Sequence, residues 1–591
     1  MNLNILKISI AAALAAMSLT AGAQNLDPTV VVNRAYEGKL MEVHKPMLEM
    51  AVPDSLKQFD LDFDYSVFES PYKGSYEFKP YELLMKPVSA DMEKSIFWLK
   101  AGAGYSLYPV VDMVWTPFHK GRFKMNVYAD YQAYIGAYRF FMPSTESKGG
   151  VMRMDRWRSQ DGATSEWKGY RMRTKAGVDG RYDWDRNVMT FDVGYYGIAS
   201  KDTLKNRMFD AVDFNVNVAS KPQSSDYFHY DAYVNYRFGE DKAGFKLGDE
   251  YLAEHDFKFG AVVGPVISNM QKVLMDVGFE TISYTGAFAG EGISELYIVP
   301  HYFLTKGRWN FDLGVKLSML ISPKESTMYK ANSQLFYPDV NVLFSVVPDA
   351  LGVYANLGGG NRINTYSSLL ERNPYVDMTF GYSNPLLDAD VERVDASIGV
   401  KGRIAGKFTY DIYGGFKCYA NALLDSAVLL GGDSDTYRYL PTYSYAGYNK
   451  LYAGLDWNLR MDAVSFNGSV EYSHVSRLDD KVGVIAPAPL TADVAFEYNW
   501  KRRVFAGVDC YYSSARKGNI TSLDAEIVSP GLKYKTVVPG FADLGIYAEL
   551  ATSRKLSVWI RGGNLLNMTV QHTPLYAEKG INFTAGICLK L

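Results

Sequence analysis

The chain has 591 residues, of which 21% are charged, and its formal net charge of −3 gives no reason to expect a nucleic-acid partner. Beyond the N-terminus, no apolar run approaches the ~20 residues that a membrane-spanning helix needs. The three cysteines, Cys418, Cys510 and Cys588, are scattered singly, a pattern that predicts neither a disulfide framework nor a metal site.

The N-terminus has the pattern of a secretory signal. Lys7 precedes the apolar stretch 8–19, and Ala21-Gly22-Ala23 follows it. A basic start, a short apolar core and an A-x-A end predict a signal peptide over residues 1–23 that is cleaved before Gln24. The apolar core is too short to cross a bilayer as a helix.

Residues 24–90 differ in composition from the rest of the chain. They contain six prolines and many charges, with little regular alternation of apolar and polar residues. This composition predicts an extended N-terminal arm, which lies either in the periplasm or inside a barrel formed by residues 91–591.

From about residue 96 onward, strand patterns follow one another to the end of the chain. In the last strand, one face carries apolar side chains and the other carries polar or small ones. The apolar face comprises Ile581, Phe583, Ala585, Ile587, Leu589 and Leu591. Side chains alternate between two faces in a strand, and this alternation through nearly every segment predicts a transmembrane β-barrel. The alternative is a large soluble β-sandwich or propeller.

The connections fall into two classes. Short turns are predicted near 118–121, 185–187, 305–308, 405–407, 461–463, 501–503 and 551–555, and longer loops near 137–167, 239–254, 321–336, 359–390, 421–444 and 514–540. Outer-membrane barrels have short periplasmic turns and long extracellular loops.

The apparent strand from Ile96 to Phe118 contains Pro109, which cannot donate a hydrogen bond within a sheet. Splitting it at Tyr105–Pro109 predicts an all-β antiparallel barrel of about 22 strands, an even number, with 20 as the alternative.

Several short motifs resemble those of a known family. They are Gly562-Gly563-Asn564-Leu565-Leu566-Asn567, Gly102-Ala103-Gly104-Tyr105, Asn373-Pro374-Tyr375, Lys401-Gly402 and the segment 30–36. Together they resemble the plug-less, TonB-dependent receptor-like outer-membrane barrels of Bacteroidota. The resemblance covers most of the chain. The chain departs from the pattern of true receptors in its terminal Leu591, where an aromatic residue is usual, and in lacking a full plug domain.

Within this resemblance, Thr29, Val30, Val31 and Val32 look like a TonB box. Such a segment binds a periplasmic energy transducer by strand addition. The alternative is a β-prone stretch that pairs with the barrel or another partner.

A stripe of charged residues is predicted to face the lumen: Arg171, Arg173, Lys175, Asp179 and Arg181. Its basic members could favour the passage of anions. The nearby carboxylates favour instead a ladder of paired charges across neighbouring strands.

The predicted loop 137–167 contains a possible surface contact formed by Arg156, Trp157, Arg158 and Trp167. Arginine and tryptophan are enriched at binding hot spots, and basic residues there could bind lipopolysaccharide phosphates. The alternative is the ordinary composition of an aromatic girdle and a solvated loop.

The sequence does not predict an enzyme, a cofactor or a metal site. The seven histidines are dispersed without the spacing of metal ligands. Glu254-His255-Asp256 is a dense group of acid and base residues, but one triplet does not identify a catalytic site.

Two hypotheses follow for a protein of the outer membrane of a Gram-negative bacterium. In the first, the barrel is of the transport or porin class and passes or binds a solute. In the second, it is a non-transporting structural subunit of an outer-membrane assembly or export complex. The expected partners are outer-membrane lipid and lipopolysaccharide, and possible partners are a TonB-type transducer or other outer-membrane proteins and lipoproteins.

Overall fold

The structure of this protein is a computed structural model. It describes residues 96–139, 151–153, 166–202, 206–221, 227–247, 250–268, 270–286, 292–321, 336–376, 388–430, 438–479, 483–522, 533–578 and 580–591. The predicted signal peptide and N-terminal arm lie outside these residues. The described residues form 25 β-strands and one α-helix, α1 (Tyr366–Arg372).

The first half of the strands, in chain order, are β1 (Phe97–Tyr105), β2 (Val110–Phe118), β3 (Phe123–Arg139), β4 (Val151–Arg153), β5 (Glu166–Asp183), β6 (Asn187–Lys201), β7 (Asn206–Ser220), β8 (Phe228–Leu247), β9 (Glu250–Ser268), β10 (Gln271–Gly286), β11 (Gly292–Lys306), β12 (Trp309–Ile321) and β13 (Phe336–Val347). The others are β14 (Leu351–Ile363), β15 (Ala389–Ile404), β16 (Phe408–Leu430), β17 (Arg438–Arg460), β18 (Val464–Ser476), β19 (Leu490–Trp500), β20 (Val504–Ser513), β21 (Arg516–Ser522), β22 (Lys533–Val538), β23 (Phe541–Ala551), β24 (Leu556–Gly563) and β25 (Asn582–Lys590).

Twenty-two of these strands form one closed antiparallel wall, in which each strand pairs with the next wall strand along the chain. β3 pairs directly with β5, and β20 pairs with β23, so β4, β21 and β22 stand outside the wall. The first and last strands close the barrel, with a register that runs from Trp98↔Lys590 to Tyr105↔Phe583. Closure leaves no unpaired edge, and the predicted barrel of about 22 strands is confirmed.

The two faces of the wall differ as the alternation predicts. On β12, Leu313, Val315 and Met319 are exposed on the outer surface, whereas Asp312 and Ser318 are buried on the inner face. An outer surface of this kind suits hydrocarbon, and a polar inner face suits water or hydrogen-bonding partners. Among the described residues, no helix is long and apolar enough to cross a membrane.

The two classes of connection lie at opposite ends of the barrel, which we call the turn end and the loop end. The split at Tyr105–Pro109 is confirmed, because β1 ends at Tyr105 and β2 begins at Val110. Residues 96–118 therefore form a hairpin and not one long strand, and the connection of this hairpin lies at the loop end.

Two of the predicted long loops are instead extensions of hairpins. β8 and β9 remain paired as far as Leu247↔Glu250, and β16 and β17 remain paired as far as Leu430↔Arg438. Neither segment shows a regular alternation of apolar and polar residues, which is why the sequence pattern indicated loops. Where both faces are buried, as at Leu423 and Leu424 of β16, backbone pairing continues the strand without such alternation.

Candidate functional site

The connection between β14 and β15 folds into the barrel at its loop end. We call it the lumen loop; its described part comprises residues 364–376 and Asp388. It contains α1, whose residues Tyr366, Ser367, Leu369 and Leu370 are buried. Thr365 caps the helix, since its side chain accepts from the backbone N–H of Ser368 and the Ser368 hydroxyl returns to the backbone of Thr365. This reciprocal capping satisfies donors at the helix start that burial would otherwise leave unpaired.

The apolar side of α1 packs against inward-facing residues of the wall. They belong to β6, β7, β9, β10, β11, β14, β15, β16 and β17, and include Tyr196, Phe209, Leu252, Ile282, Ile293, Leu423 and Tyr443. These strands lie along one arc of the wall, from β6 to β17, and the helix packs against this arc from inside the barrel.

A buried carboxylate of the wall holds the start of the helix. Glu254, on β9, is fully buried and accepts from the backbone N–H of Ser367 at 3.1 Å and from its hydroxyl at 2.6 Å. The Tyr284 hydroxyl donates to the same carboxylate at 3.1 Å and accepts from the backbone N–H of Tyr366 at 3.0 Å. A carboxylate at a helix N-terminus interacts favourably with the helix dipole and with free N–H groups.

An arginine on β8 joins this attachment to the wall. Arg237 forms two bonds to the Asp213 carboxylate, at 2.5 and 2.9 Å, and donates to the Ser367 hydroxyl at 3.3 Å. Its guanidinium lies 5.1 Å from the centre of the Tyr196 ring. The helix start is thus fixed by both an acidic and a basic group.

The end of α1 is attached to a different part of the barrel. Arg372 donates to the backbone carbonyl of Leu423 at 3.2 Å and lies 3.5 Å from the Asp425 carboxylate, both on β16. The second oxygen of Asp425 pairs with Arg516 of β21 at 2.9 Å. The hairpin β21–β22 is therefore linked to the lumen loop through one carboxylate.

Beyond α1, the lumen loop reaches the region of β3 and β5, where four rings form an aromatic cluster: Tyr138, Trp167, Tyr375 and Tyr576. Tyr138 stacks on Trp167 with centroids 4.2 Å apart, and Tyr375 stacks on Tyr576 at 4.3 Å. The two stacks meet edge to face at 5.8 Å, and the Tyr138 and Tyr375 hydroxyls are hydrogen-bonded. Such pairs contribute about 0.5–1.5 kcal/mol each beyond their buried area.

A buried ion pair lies beside this cluster. Arg207 and Asp202 are 2.9 Å apart, with 2% and 1% of their side chains exposed. Asp202 also accepts from the Tyr576 hydroxyl at 3.0 Å, and Arg207 donates to the backbone carbonyl of Val376 at 3.2 Å. Burial raises the pKa of Tyr576 above its ordinary value, so the hydroxyl stays protonated and remains a donor. Together, these contacts hold the lumen loop inside the barrel at its loop end.

The predicted charged stripe on β5 faces the lumen, and each of its members has a partner. Arg171 pairs with Glu578 at 2.6 Å, Arg173 with Asp130 at 3.3 Å, and Arg181 with Asp183 at 2.9 Å. Lys175 lies 5.3 Å from the centre of the Tyr196 ring, and Asp179 accepts from the Asn126 amide at 3.1 Å. Three of the basic side chains of the stripe therefore have a carboxylate partner, and one of these partners, Asp130, lies on the neighbouring strand β3.

The other predicted site residues are placed differently. The TonB-box-like segment Thr29–Val32 and the loop residues Arg156, Trp157 and Arg158 lie outside the described residues. Trp167 is half-buried at the start of β5, where it is part of the aromatic cluster.

The sequence did not identify the attachment of the lumen loop. Glu254-His255-Asp256 is divided between the two faces of β9: Glu254 binds α1, whereas the His255 ring packs against Tyr236 and Phe238 on the outer face. The alternation of the strand could have separated these residues by face, but it does not indicate which partner a buried carboxylate meets. No group of histidine, cysteine and carboxylate side chains that could hold a metal ion occurs in the described part of the chain.

No protein-family model matches the chain, and no curated protein matches it either. Solved structures do match. The FrpB iron transporter from Neisseria meningitidis (F3-3 variant) has 11% identity and a TM-score of 0.57, with 84% of this chain and 81% of that chain covered. The siderophore receptor PirA from Acinetobacter baumannii has 10% identity and a TM-score of 0.56, with 84% and 80% covered. The copper transporter OprC has 11% identity and a TM-score of 0.53, with 84% and 80% covered.

At these identities the likeness shows the fold alone. This chain shares its barrel fold with solved bacterial proteins that are an iron transporter, a siderophore receptor and a copper transporter.

Proposed function

We propose that this protein is a transport-class barrel of the Gram-negative outer membrane whose lumen loop closes the outer end and moves to admit or bind a solute. The observation that carries the proposal is the attachment of the lumen loop to separate parts of the wall, to β9 through Glu254, to β16 through Arg372 and to the aromatic cluster through Tyr375. In this arrangement the loop end is extracellular and the turn end is periplasmic, as in outer-membrane barrels.

The inner wall supports this proposal because it is polar along the barrel. Several charged side chains that face the lumen are paired across strands, as Lys258 is with Glu280 and Lys417 with Asp395. A polar lumen behind a closed end suits a gated path better than an open porin. We further propose that the lumen loop takes the place of a separate plug domain.

Conductance in planar bilayers tests the proposal. We expect few openings from the full-length protein and frequent openings when residues 366–376 are replaced by a Gly-Ser linker of equal length. A second protein that lacks residues 24–90 separates closure by the lumen loop from closure by the N-terminal arm. If neither change, nor both together, produces conductance, the barrel is not a solute path.

A second candidate function is that of a structural subunit in an outer-membrane assembly or export complex. The extent of the closure favours it, since opening would expose the buried pair of Arg207 and Asp202 as well as the aromatic cluster. Breaking a buried ion pair costs about 3–5 kcal/mol. Purification from native membranes in mild detergent, followed by mass spectrometry, tests this candidate; a monomer without a stoichiometric partner speaks against it.

The location and partners are also proposals. Membrane fractionation tests the outer-membrane location, which the likeness of the fold to bacterial receptors supports. Deletion of residues 27–32 tests whether Thr29–Val32 binds a TonB-type transducer: co-purification of the transducer should be lost. Replacing Arg156 and Arg158 by glutamine should weaken binding to lipopolysaccharide micelles if that loop binds phosphate groups.

A further inference from the structure

The turn end carries a group of exposed cations on both sides of the point where the chain enters the barrel. We call it the basic arc. It consists of the turn between β19 and β20 (Lys501, Arg502, Arg503), the turn between β23 and β24 (Arg554, Lys555) and the turn between β2 and β3 (Lys120, Arg122). β1 lies between the second and third of these turns, because it pairs with β25 on one side and with β2 on the other.

Most of these cations have no carboxylate partner. Arg122 pairs with Asp185 at 2.6 Å. Among the described residues, Lys120, Lys501, Arg503, Arg554 and Lys555 form no ion pair. The exposed carboxylates in the turns described at this end are Asp185, Asp349 and Asp462, and none lies in a turn of the arc.

The turn between β19 and β20 has an unfavourable backbone for its residues. Lys501 and Arg502 have φ angles of 49° and 61°, and two successive positive values in a two- or three-residue hairpin connection favour Asn-Gly or Gly-Gly. The left-handed conformation costs roughly 1–2 kcal/mol for an ordinary L-residue. In the turn between β15 and β16, by contrast, Gly406 occupies the second such position, with a φ of 69°. Local strain of this kind is often retained where the side chains have a function.

The chain itself contains a segment of opposite charge. Residues 54–69 carry Asp54, Asp60, Asp62, Asp64 and Glu69, against the single cation Lys57. The segment precedes β1, which begins in the middle of the basic arc. The chain between Glu69 and Phe97 can span up to about 90 Å at roughly 3.3 Å per residue. β20 lies four strands from β1, about 20 Å along the wall at roughly 4.8 Å per strand.

We infer that the basic arc is the binding surface for the acidic segment 54–69 of the same chain. The interaction joins exposed, solvated charges, so several pairs together are needed to hold the segment. Its local concentration is high because the two are covalently linked, which favours it over a free anionic partner of equal charge. The inference does not depend on whether the barrel transports a solute.

Zero-length carbodiimide cross-linking tests the inference, since it joins a lysine amine to a carboxylate only when they are in contact. The full-length protein is placed in nanodiscs of zwitterionic phospholipid, and the linked peptides are identified by mass spectrometry. We expect links from Lys555 and Lys501 to carboxylates of residues 54–69. Replacing Lys501, Arg502 and Arg503 by Asn, Gly and Gln should lower the yield of links from Lys555 at least five-fold.

The matched control is Lys306→Gln with Arg308→Gln, at the turn between β11 and β12, nine strands or more from β1. It should leave the yield unchanged. Reversal of charge gives an independent test. Replacing residues 501–503 by glutamate should abolish the contact. Replacing Asp60, Asp62 and Asp64 by lysine in that variant should restore it, and the links should then join these two sets of positions.

Three results would overturn the inference. The first is the absence of any link between the arc and residues 54–69 in the unaltered protein. The second is an equal loss of yield in the arc variant and in the control. The third is the loss of all links when phosphatidylglycerol is added to the nanodiscs, because lipid phosphates would then be the ligand of the arc.

Discussion

At the scale of single residues, Glu254 acts as a capping group that the barrel wall supplies to a helix. Its carboxylate receives two bonds from Ser367 and one from Tyr284. Thr365 caps the same helix from within the loop. A helix of seven residues is too short to be stable by itself, so its conformation depends on these contacts and on the burial of its apolar side.

Glu254→Gln should loosen α1 while the shape of the side chain is kept. The amide has only one acceptor oxygen and no charge, so we expect a local loss of about 2 kcal/mol. Hydrogen exchange of the backbone amides of residues 366–372 should then be roughly 30-fold faster.

Glu280→Gln is the matched control for this change, because Glu280 pairs with Lys258 at 2.9 Å on the same wall. It should leave the exchange of residues 366–372 as it is. Equal exchange in the Glu254 variant and the unaltered protein would show that the carboxylate does not hold the helix.

The pair of Asp202 and Arg207 should be coupled. Asp202→Asn leaves a buried guanidinium without its counter-charge and should cost about 3 kcal/mol, as should Arg207→Met, which leaves a buried carboxylate. Chymotrypsin cleavage after Tyr375 reports the opening of this region, because cleavage follows the population of the open state when closing is fast.

The cleavage rates give a free energy of opening for each variant. In a double-mutant cycle, the loss in the double variant should be at least about 1 kcal/mol smaller than the sum of the losses in the two single variants. Additive effects would mean that the two side chains stabilise the closed loop independently.

At the scale of elements, the alternating pattern predicted the strands of the wall but not their full lengths. The pattern distinguishes the two faces of a strand only where the outer face is apolar and the inner face is polar, as on β12. The ends of β8, β9, β16 and β17 lack this alternation, and they were predicted as loops. The turns are different, because short connections between two clear strands leave little choice of conformation.

The turn between β19 and β20 gives a prediction for one element. Lys501→Asn with Arg502→Gly places favoured residues at two positive φ angles, so we expect unfolding to cost about 1–2 kcal/mol more. The midpoint of guanidinium unfolding in detergent, followed by the mobility of the folded barrel in gels, measures this change.

Lys407→Asn serves as the comparison for this turn. It removes a charge beside Gly406 without changing a strained position, and it should leave the midpoint nearly constant. A lower midpoint for the Lys501 and Arg502 variant would mean that these side chains stabilise the hairpin and that the backbone carries no net strain.

At the scale of the whole molecule, the sequence predicted the barrel, the number of strands and the position of the first hairpin. These features follow from local alternation and from the requirement that a closed wall have no edges. The attachment of the lumen loop could not be predicted in the same way. Its contacts join residues far apart in the chain, such as Tyr138 with Tyr375 and Asp202 with Tyr576, and no local pattern specifies such partners.

The closure of the wall between β1 and β25 gives the last prediction. Ala103 and Ala585 are direct partners in this register, and both are exposed on the outer face. Cross-strand partners have Cα atoms about 4.5–5.5 Å apart, within the range of a disulfide. Ala103→Cys with Ala585→Cys should therefore form a disulfide in the folded barrel. The background for this test has alanine at Cys418, Cys510 and Cys588.

The disulfide joins the two ends of the barrel, so the heat-denatured protein becomes a covalent ring of nearly 500 residues. A ring is more compact than the open chain, and it should move faster in a non-reducing gel and lose this difference after reduction. Ala103→Cys with Ala548→Cys is the control, because β23 lies three strands from β1, about 14 Å away at roughly 4.8 Å per strand. It should give no ring. Equal amounts of ring from both pairs, or none from the first, would show that β1 and β25 do not close the wall in this register.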